Sequence, residues 1–187
     1  MAEDRKPDLS TRRGKRIAFA LFAFLICVAL AAVLAEAGLR LFLPQQEAMR
    51  CFASSERYGF ELRKNFHQAY RYVGDEFVMD VQTNSLGLRD REYDISEFTR
   101  SGDMRVLLLG DSFAFGQGLN MPDHYGTKLE GILQGSGLAA TVIKGGAPGW
   151  GTSQETLYAK DHFELFRPDI VVITFCGNDP GDDEAFL

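Results

Sequence analysis

Three short apolar runs recur in the second half of this chain, and each stops at a glycine or a polar loop. Residues 105–109 lead into Gly110-Asp111-Ser112. Residues 140–143 lead, after Lys144, into Gly145-Gly146-Ala147-Pro148-Gly149-Trp150-Gly151. Residues 170–175 lead, after Cys176, into Gly177-Asn178-Asp179-Pro180. Runs of this length, bounded by turn residues, read as buried parallel strands. Helical patterns fill the gaps. One covers residues 123–134, with Leu129, Ile132 and Leu133 on one face. The other runs from a capping box of Thr152 and Glu155 to about Phe166, where Arg167-Pro168-Asp169 breaks it. Strands that alternate with helices imply parallel pairing and right-handed crossovers, hence an α/β fold. All three loops then lie past the carboxyl ends of parallel strands, where open α/β sheets bind ligands.

A second feature constrains the N-terminal part. Residues 17–35 contain no charged side chain. Nineteen residues at about 1.5 Å each span roughly the hydrocarbon core of a bilayer. Arg12, Arg13, Lys15 and Arg16 stand directly before them, so the positive-inside rule keeps the N-terminus in the cytoplasm and exports the rest. Glu36 and Arg40 can pair at i,i+4 spacing, and Pro44 ends the helix. The expected organisation is a cytoplasmic basic segment (1–16), a transmembrane helix (17–43), an irregular strand-containing linker region (44–103) and an α/β domain from residue 104. That places a single-pass protein in the inner membrane with its main domain periplasmic or extracellular. A signal peptide cleaved near Ala35-Glu36-Ala37, a twin-arginine signal at Arg12-Arg13 and a buried soluble helix are the alternatives.

Charge narrows the partners. The net charge is −6, yet the first sixteen residues carry six basic against three acidic side chains, so the remainder carries −9. An acidic body argues against nucleic acid. Cys27 lies in the apolar run. Cys51 and Cys176 can form a disulfide only in an oxidising compartment, and no cysteine spacing suggests a zinc site. In the middle of the chain Phe77, Met79 and Val81 alternate with Val78 and Asp80, which predicts a strand, and Asn84-Ser85-Leu86-Gly87 predicts a turn. Tyr58, Phe60, Phe66, Tyr70 and Tyr72 either pack or line a carbohydrate surface.

The three loops carry the chemistry. Ser112, behind a buried strand and at the start of a helix, is a candidate nucleophile; its other reading is a helix cap. Acyl transfer needs two or three donors aimed at the developing oxyanion. The N–H groups of Ser112 and Gly146 and the side-chain amide of Asn178 are placed to supply them. Glycine at 146 permits close approach of backbone to substrate.

The blocks GDSFAFGQG, KGGAPGWGTSQE and FCGNDP, in this order, resemble the first three blocks of the SGNH (GDSL-like) hydrolase family. Asn84-Ser85-Leu86-Gly87-Leu88-Arg89 is similar to a segment of its membrane-anchored bacterial members. The resemblance covers residues 83–182. It implies a three-layer, flavodoxin-like parallel sheet and ester or acyl-transfer chemistry without metal or organic cofactor. Ser112 then matches the nucleophile, and Gly146 and Asn178 match the oxyanion donors. Asp111 holds the turn and is not the triad acid.

The family's base is a histidine in a C-terminal DxxH block. His67, His124 and His162 all lack Asp at the minus-three position. His67 falls in the irregular region, His124 opens a helix, and His162 lies on a solvated helix face. Without a base Ser112 is a weak nucleophile. The sheet also shows three strands where the family has about five, which leaves its third strand at an exposed edge. The expectation is the N-terminal part of a longer esterase, or a truncated product. It would be membrane-anchored, would act on an ester-linked acyl group of a glycan or lipid, and would be inactive or nearly so by itself. An O-acetyltransferase of cell-surface polysaccharide and a non-catalytic tethered binding protein are the alternatives. A nucleotide-binding module lacks its phosphate cradle here.

Overall fold

The computed structural model describes residues 9–43, 47–72, 77–100 and 102–186, and divides the chain into two compact units, residues 1–46 and 47–187. Arg5, Lys6 and Pro44, on which part of the membrane reading rests, lie outside the described residues.

The first unit is helix α1, Leu9–Phe42. Its stretch Arg13–Phe42 is long and apolar enough to cross a membrane. Phe19, Leu34 and Leu41 are exposed, as in a helix that is apolar all round rather than on one stripe. Arg40 Nε donates to Glu36 Oε1 at 2.7 Å, the expected i,i+4 pair.

The second unit begins with two antiparallel hairpins. β1 (Phe52–Ser55) pairs with β2 (Gly59–Leu62), and β3 (His67–Arg71) with β4 (Val78–Gln82). The alternation around Met79 and Val81 is β4, with both side chains fully buried. The other three strands were not legible, since none alternates cleanly between apolar and polar residues. Tyr58 and Tyr70 are core residues, and Phe60, Phe66 and Tyr72 pack on the same core. These aromatics are packing rather than an open carbohydrate platform.

After helix α2 (Ile95–Arg100) come β5 (Met104–Gly110), α3 (Ser112–Phe115), a 3-10 turn (Met121–Asp123), α4 (Tyr125–Gly135), β6 (Ala140–Lys144), α5 (Thr152–Phe166), β7 (Ile170–Thr174) and α6 (Asp179–Phe186). The three strands form one parallel sheet in the order β6-β5-β7. β5 is central, and its side chains alternate between two layers. Leu107 and Leu109 join the core with Phe115, Trp150, Tyr158 and Phe166. Val106 and Leu108 face Val142, Leu129 and Leu133. Each fully buried leucine contributes roughly 2 kcal/mol by removal from water. The α/β class and the parallel order are as expected.

Several local expectations change. Ile132 is exposed, so the apolar contact of α4 with the sheet comes from the half-buried Leu129 and Leu133, beside the buried Gly126 and Glu130. The N-cap of α5 is Gly151, not Thr152. Gly151 N–H donates to Gln154 Oε1 at 3.0 Å, so Gln154 rather than Glu155 closes the box. Cys51 and Cys176 are free thiols, and burial pushes Cys51 up to about 11. β7 lies at the sheet edge, with Ile170 through Ile173 each 37–45% exposed.

Candidate active site

The site starts where β5 ends. Asp111, almost fully buried, caps α3: its Oδ1 accepts from Phe113 N at 2.9 Å. The cap role considered for Ser112 therefore belongs to Asp111, and Ser112 is the first residue of the helix. Ser112 Oγ lies 3.5 Å from Asp111 Oδ2, at the outer limit of a hydrogen bond. Phe113 stands beside it, exposed.

The third loop reaches the same carboxylate. Asn178 Nδ2 donates to Asp111 Oδ2 at 3.2 Å and to Asp182 Oδ2 at 2.7 Å. Asp111 thus bridges Ser112 and Asn178. Both N–H bonds of the Asn178 amide face carboxylates in this state, so donation to an oxyanion requires it to exchange one of them.

The glycine-rich loop runs beside the end of β5. Gly145 N donates to Leu108 O at 2.8 Å and Ala147 N to Gly110 O at 3.0 Å, with Gly146 between them. A Cβ on Gly146 would collide with the carbonyl carbon of Ala114 and the nitrogen of Phe115. Glycine is required there because α3 packs backbone against backbone on the loop. That contact is enough to require glycine, whatever room a substrate takes. Gly151 plays the same part for α6, since a Cβ there would strike Asp183. The structure therefore brings Ser112, Gly146 and Asn178 to the same end of the sheet, by way of α3 and Asp111.

No histidine serves Ser112. His124 opens α4 as expected; it caps the helix and is buried. Its Nδ1 accepts from Gly126 N at 2.9 Å, which leaves Nε2 protonated to donate to Ala114 O at 2.9 Å. Both ring nitrogens are occupied, and burial lowers its basicity. His67 Nε2 pairs with Asp80 Oδ1 at 2.6 Å on the β3–β4 hairpin. His162 is not on a freely solvated face. Its ring stacks on Tyr158 at 3.9 Å, and Nδ1 contacts Tyr158 O at 3.0 Å.

The structural neighbours of this chain are SGNH-hydrolase family esterases. AlinE4, an SGNH-hydrolase family esterase, and two of its single-residue variants align at 27–28% identity with a TM-score of 0.38. The alignments cover 42% of this chain, which spans 43% of theirs. A likeness of that size fixes no residue's role. No family model and no curated protein matches the chain.

Two positioning residues went unassigned at the sequence level, although one of them ends the segment 84–89 and the other directly follows it. Arg89 is buried. Its Nη1 donates to Phe115 O at 2.9 Å and Gly116 O at 2.8 Å, and its Nη2 to Asp80 O at 2.8 Å and Leu119 O at 2.7 Å. The guanidinium therefore ties down the carboxyl end of α3, where the last carbonyls need donors. Asp90 anchors the strand before the glycine-rich loop. Its Oδ1 accepts from Lys144 Nζ at 2.9 Å, and its Oδ2 from Lys144 N at 3.0 Å and from the Tyr93 hydroxyl. Asn84 shapes the segment, its Oδ1 accepting from Leu86 N and Leu88 N at 3.0 and 2.9 Å. An Arg-Asp dipeptide soon after a turn signal was the available clue.

Among the described residues no group of three histidine, cysteine or carboxylate side chains can hold a metal ion.

Proposed function

We propose that this chain carries the nucleophile half of an SGNH-type ester hydrolase, exported and tethered to the inner membrane by α1 with its N-terminus in the cytoplasm. The observation that carries the reading is the convergence of Ser112, Asp111 and Asn178, with Gly146 beside α3, at the carboxyl ends of adjacent parallel strands. The three sequence blocks that resemble the family support it. Ser112 Oγ attacks the ester carbonyl carbon, and its proton passes to a base. The N–H groups of Ser112 and Gly146 and the amide of Asn178 take the oxyanion; one such donor is worth on the order of 3 kcal/mol. The alcohol then departs, and water releases the acyl group from Ser112. The substrate is an ester-linked acyl group on a glycan or lipid outside the cytoplasm.

The histidine inventory favours a second reading, a tethered domain that binds without turnover. All three imidazoles are engaged elsewhere. We expect the chain alone to hydrolyse a short-chain aryl ester at close to the uncatalysed rate. Robust hydrolysis that vanishes in Ser112→Ala would sink the claim that a base is missing. Hydrolysis restored by adding a C-terminal segment with a DxxH block favours the enzyme over the binder.

A further inference from the structure

Behind the Ser112 turn lies a group of four carboxyls. Glu155, in the first turn of α5, is completely buried, and neither carboxyl oxygen has a hydrogen-bond partner. Asp179, at the start of α6, is equally buried. Its Oδ2 accepts from Thr152 Oγ1 at 3.1 Å and Cys176 N at 3.0 Å, whereas its Oδ1 has no partner. Asp111, in the turn after β5, and Asp183, on α6, complete the group. The charges of Asp179, Asp111 and Asp183 all oppose ionisation of Glu155, and no cation acts on it in return. The phenol of Tyr125, on α4, is a further titratable group within electrostatic reach of it.

A buried carboxylate needs a cation, a hydrogen-bond donor or a proton. No three of these groups converge as ligands for one metal ion. Nearby backbone donors are spent, Ser153 N on Asp183 and Cys176 N on Asp179. A single proton resolves the inventory: it turns one Glu155 oxygen into a donor, and Asp179 Oδ1 is an acceptor in want of one. Burial first, and the Asp179 charge second, push the Glu155 carboxyl up to about 8.

We propose that Glu155 is a proton-holding positioning residue, whose neutral carboxyl donates to the unpartnered oxygen of Asp179 and so keeps the adjoining Asn178 against Asp111. Ionisation of Glu155 sets it against three carboxylates and loosens the start of α6, and with it the Asn178 amide. The bearing on acyl transfer rests on the reading of Ser112 and Asn178 given above; the residence of the proton does not.

The pH dependence has a definite sign. The folded carboxyl titrates near 8 and the unfolded one near 4.5, so the native state holds a proton that the unfolded chain has released. Stability from this group is full below about 4.5, falls as pH rises to about 8, and is level above. The folding equilibrium constant drops by up to about tenfold per pH unit across that interval.

The test uses the full chain in detergent micelles. Urea unfolding across and above that interval is expected to show this decline in the wild type. In Glu155→Gln, which keeps the shape and supplies a permanent donor, the slope is smaller by one proton and stability at high pH is greater. In wild-type protein at neutral pH, infrared spectra contain a protonated-carboxyl band that Glu155→Gln removes. The Asn178 side-chain amide resonances move with a midpoint near 8 in the wild type and not in the variant. Equal slopes, no such band, or an Asn178 amide indifferent to pH overturns the proposal. Calcium or magnesium stabilising the wild type but not the variant also overturns it, in favour of a cation. If the variant does not fold, the band and the Asn178 titration in wild-type protein decide. Failure of ester hydrolysis under every condition removes the proposed function and leaves these measurements standing.

Discussion

Gly146 shows how a single residue can be chosen for a reason its neighbours in sequence do not disclose. Its spacing from Ser112 and Asn178 suggests a donor to substrate, but the missing side chain is needed for the approach of α3. Ala114 and Phe115 meet it through backbone atoms, which cannot step aside as a flexible side chain can. Gly146→Ala is therefore expected to destabilise the chain by about 1–3 kcal/mol, the usual cost of overpacking a filled site. It should also shift the Ser112 resonances in NMR spectra. An unfolding midpoint equal to wild type, with those resonances unmoved, would show that the loop has slack. Ser112 and Asn178 were legible because each follows an apolar run at a turn. The carboxylate between them was legible only as the residue that holds the turn.

At the scale of elements, the short helix α3 cannot hold itself in place. Four residues make too few internal hydrogen bonds for stability. Its start is fixed by Asp111 and its end by Arg89, which is 23 residues away in sequence from Ser112. β6 is tied to the same segment through Lys144 and Asp90, whose side chains are only 3% and 2% exposed. Asp90→Ala takes the nearer carboxylate from a buried ammonium, which keeps Val142 O at 3.0 Å and Glu130 Oε2 at 3.9 Å, and a loss of up to about 3–5 kcal/mol is expected in urea unfolding. Replacing both partners, in Asp90→Leu with Lys144→Met, should recover much of that loss. A single substitution no costlier than the double would show the pair to be solvated rather than sealed. The capping of α5 has the same character. Thr152 and Glu155 satisfy the sequence rule, yet Gly151 and Gln154 make the bond, since Thr152 Oγ1 is drawn to Asp179.

At the scale of the whole molecule, the sheet is covered on two faces at β5 but open along β7. Ile170, Val171, Val172 and Ile173 retain more than a third of their surface, on a strand whose outer edge offers unpaired backbone groups. Self-association is the expected consequence. Val172→Lys should lower the aggregated fraction of the full chain in micelles, measured by light scattering, and an unchanged fraction would exonerate that edge. By itself the sequence determined the apolar helix, the order of three parallel strands and the identity of the loops at their carboxyl ends. These follow from run length and from glycine and proline punctuation, which act over a few residues. Only the tertiary structure decided which residue caps which helix, why residue 146 is glycine, where the histidines are spent and that Glu155 lies buried among carboxylates. Those outcomes depend on partners tens of residues apart, whose meeting is fixed by packing and by the need to satisfy buried polar groups.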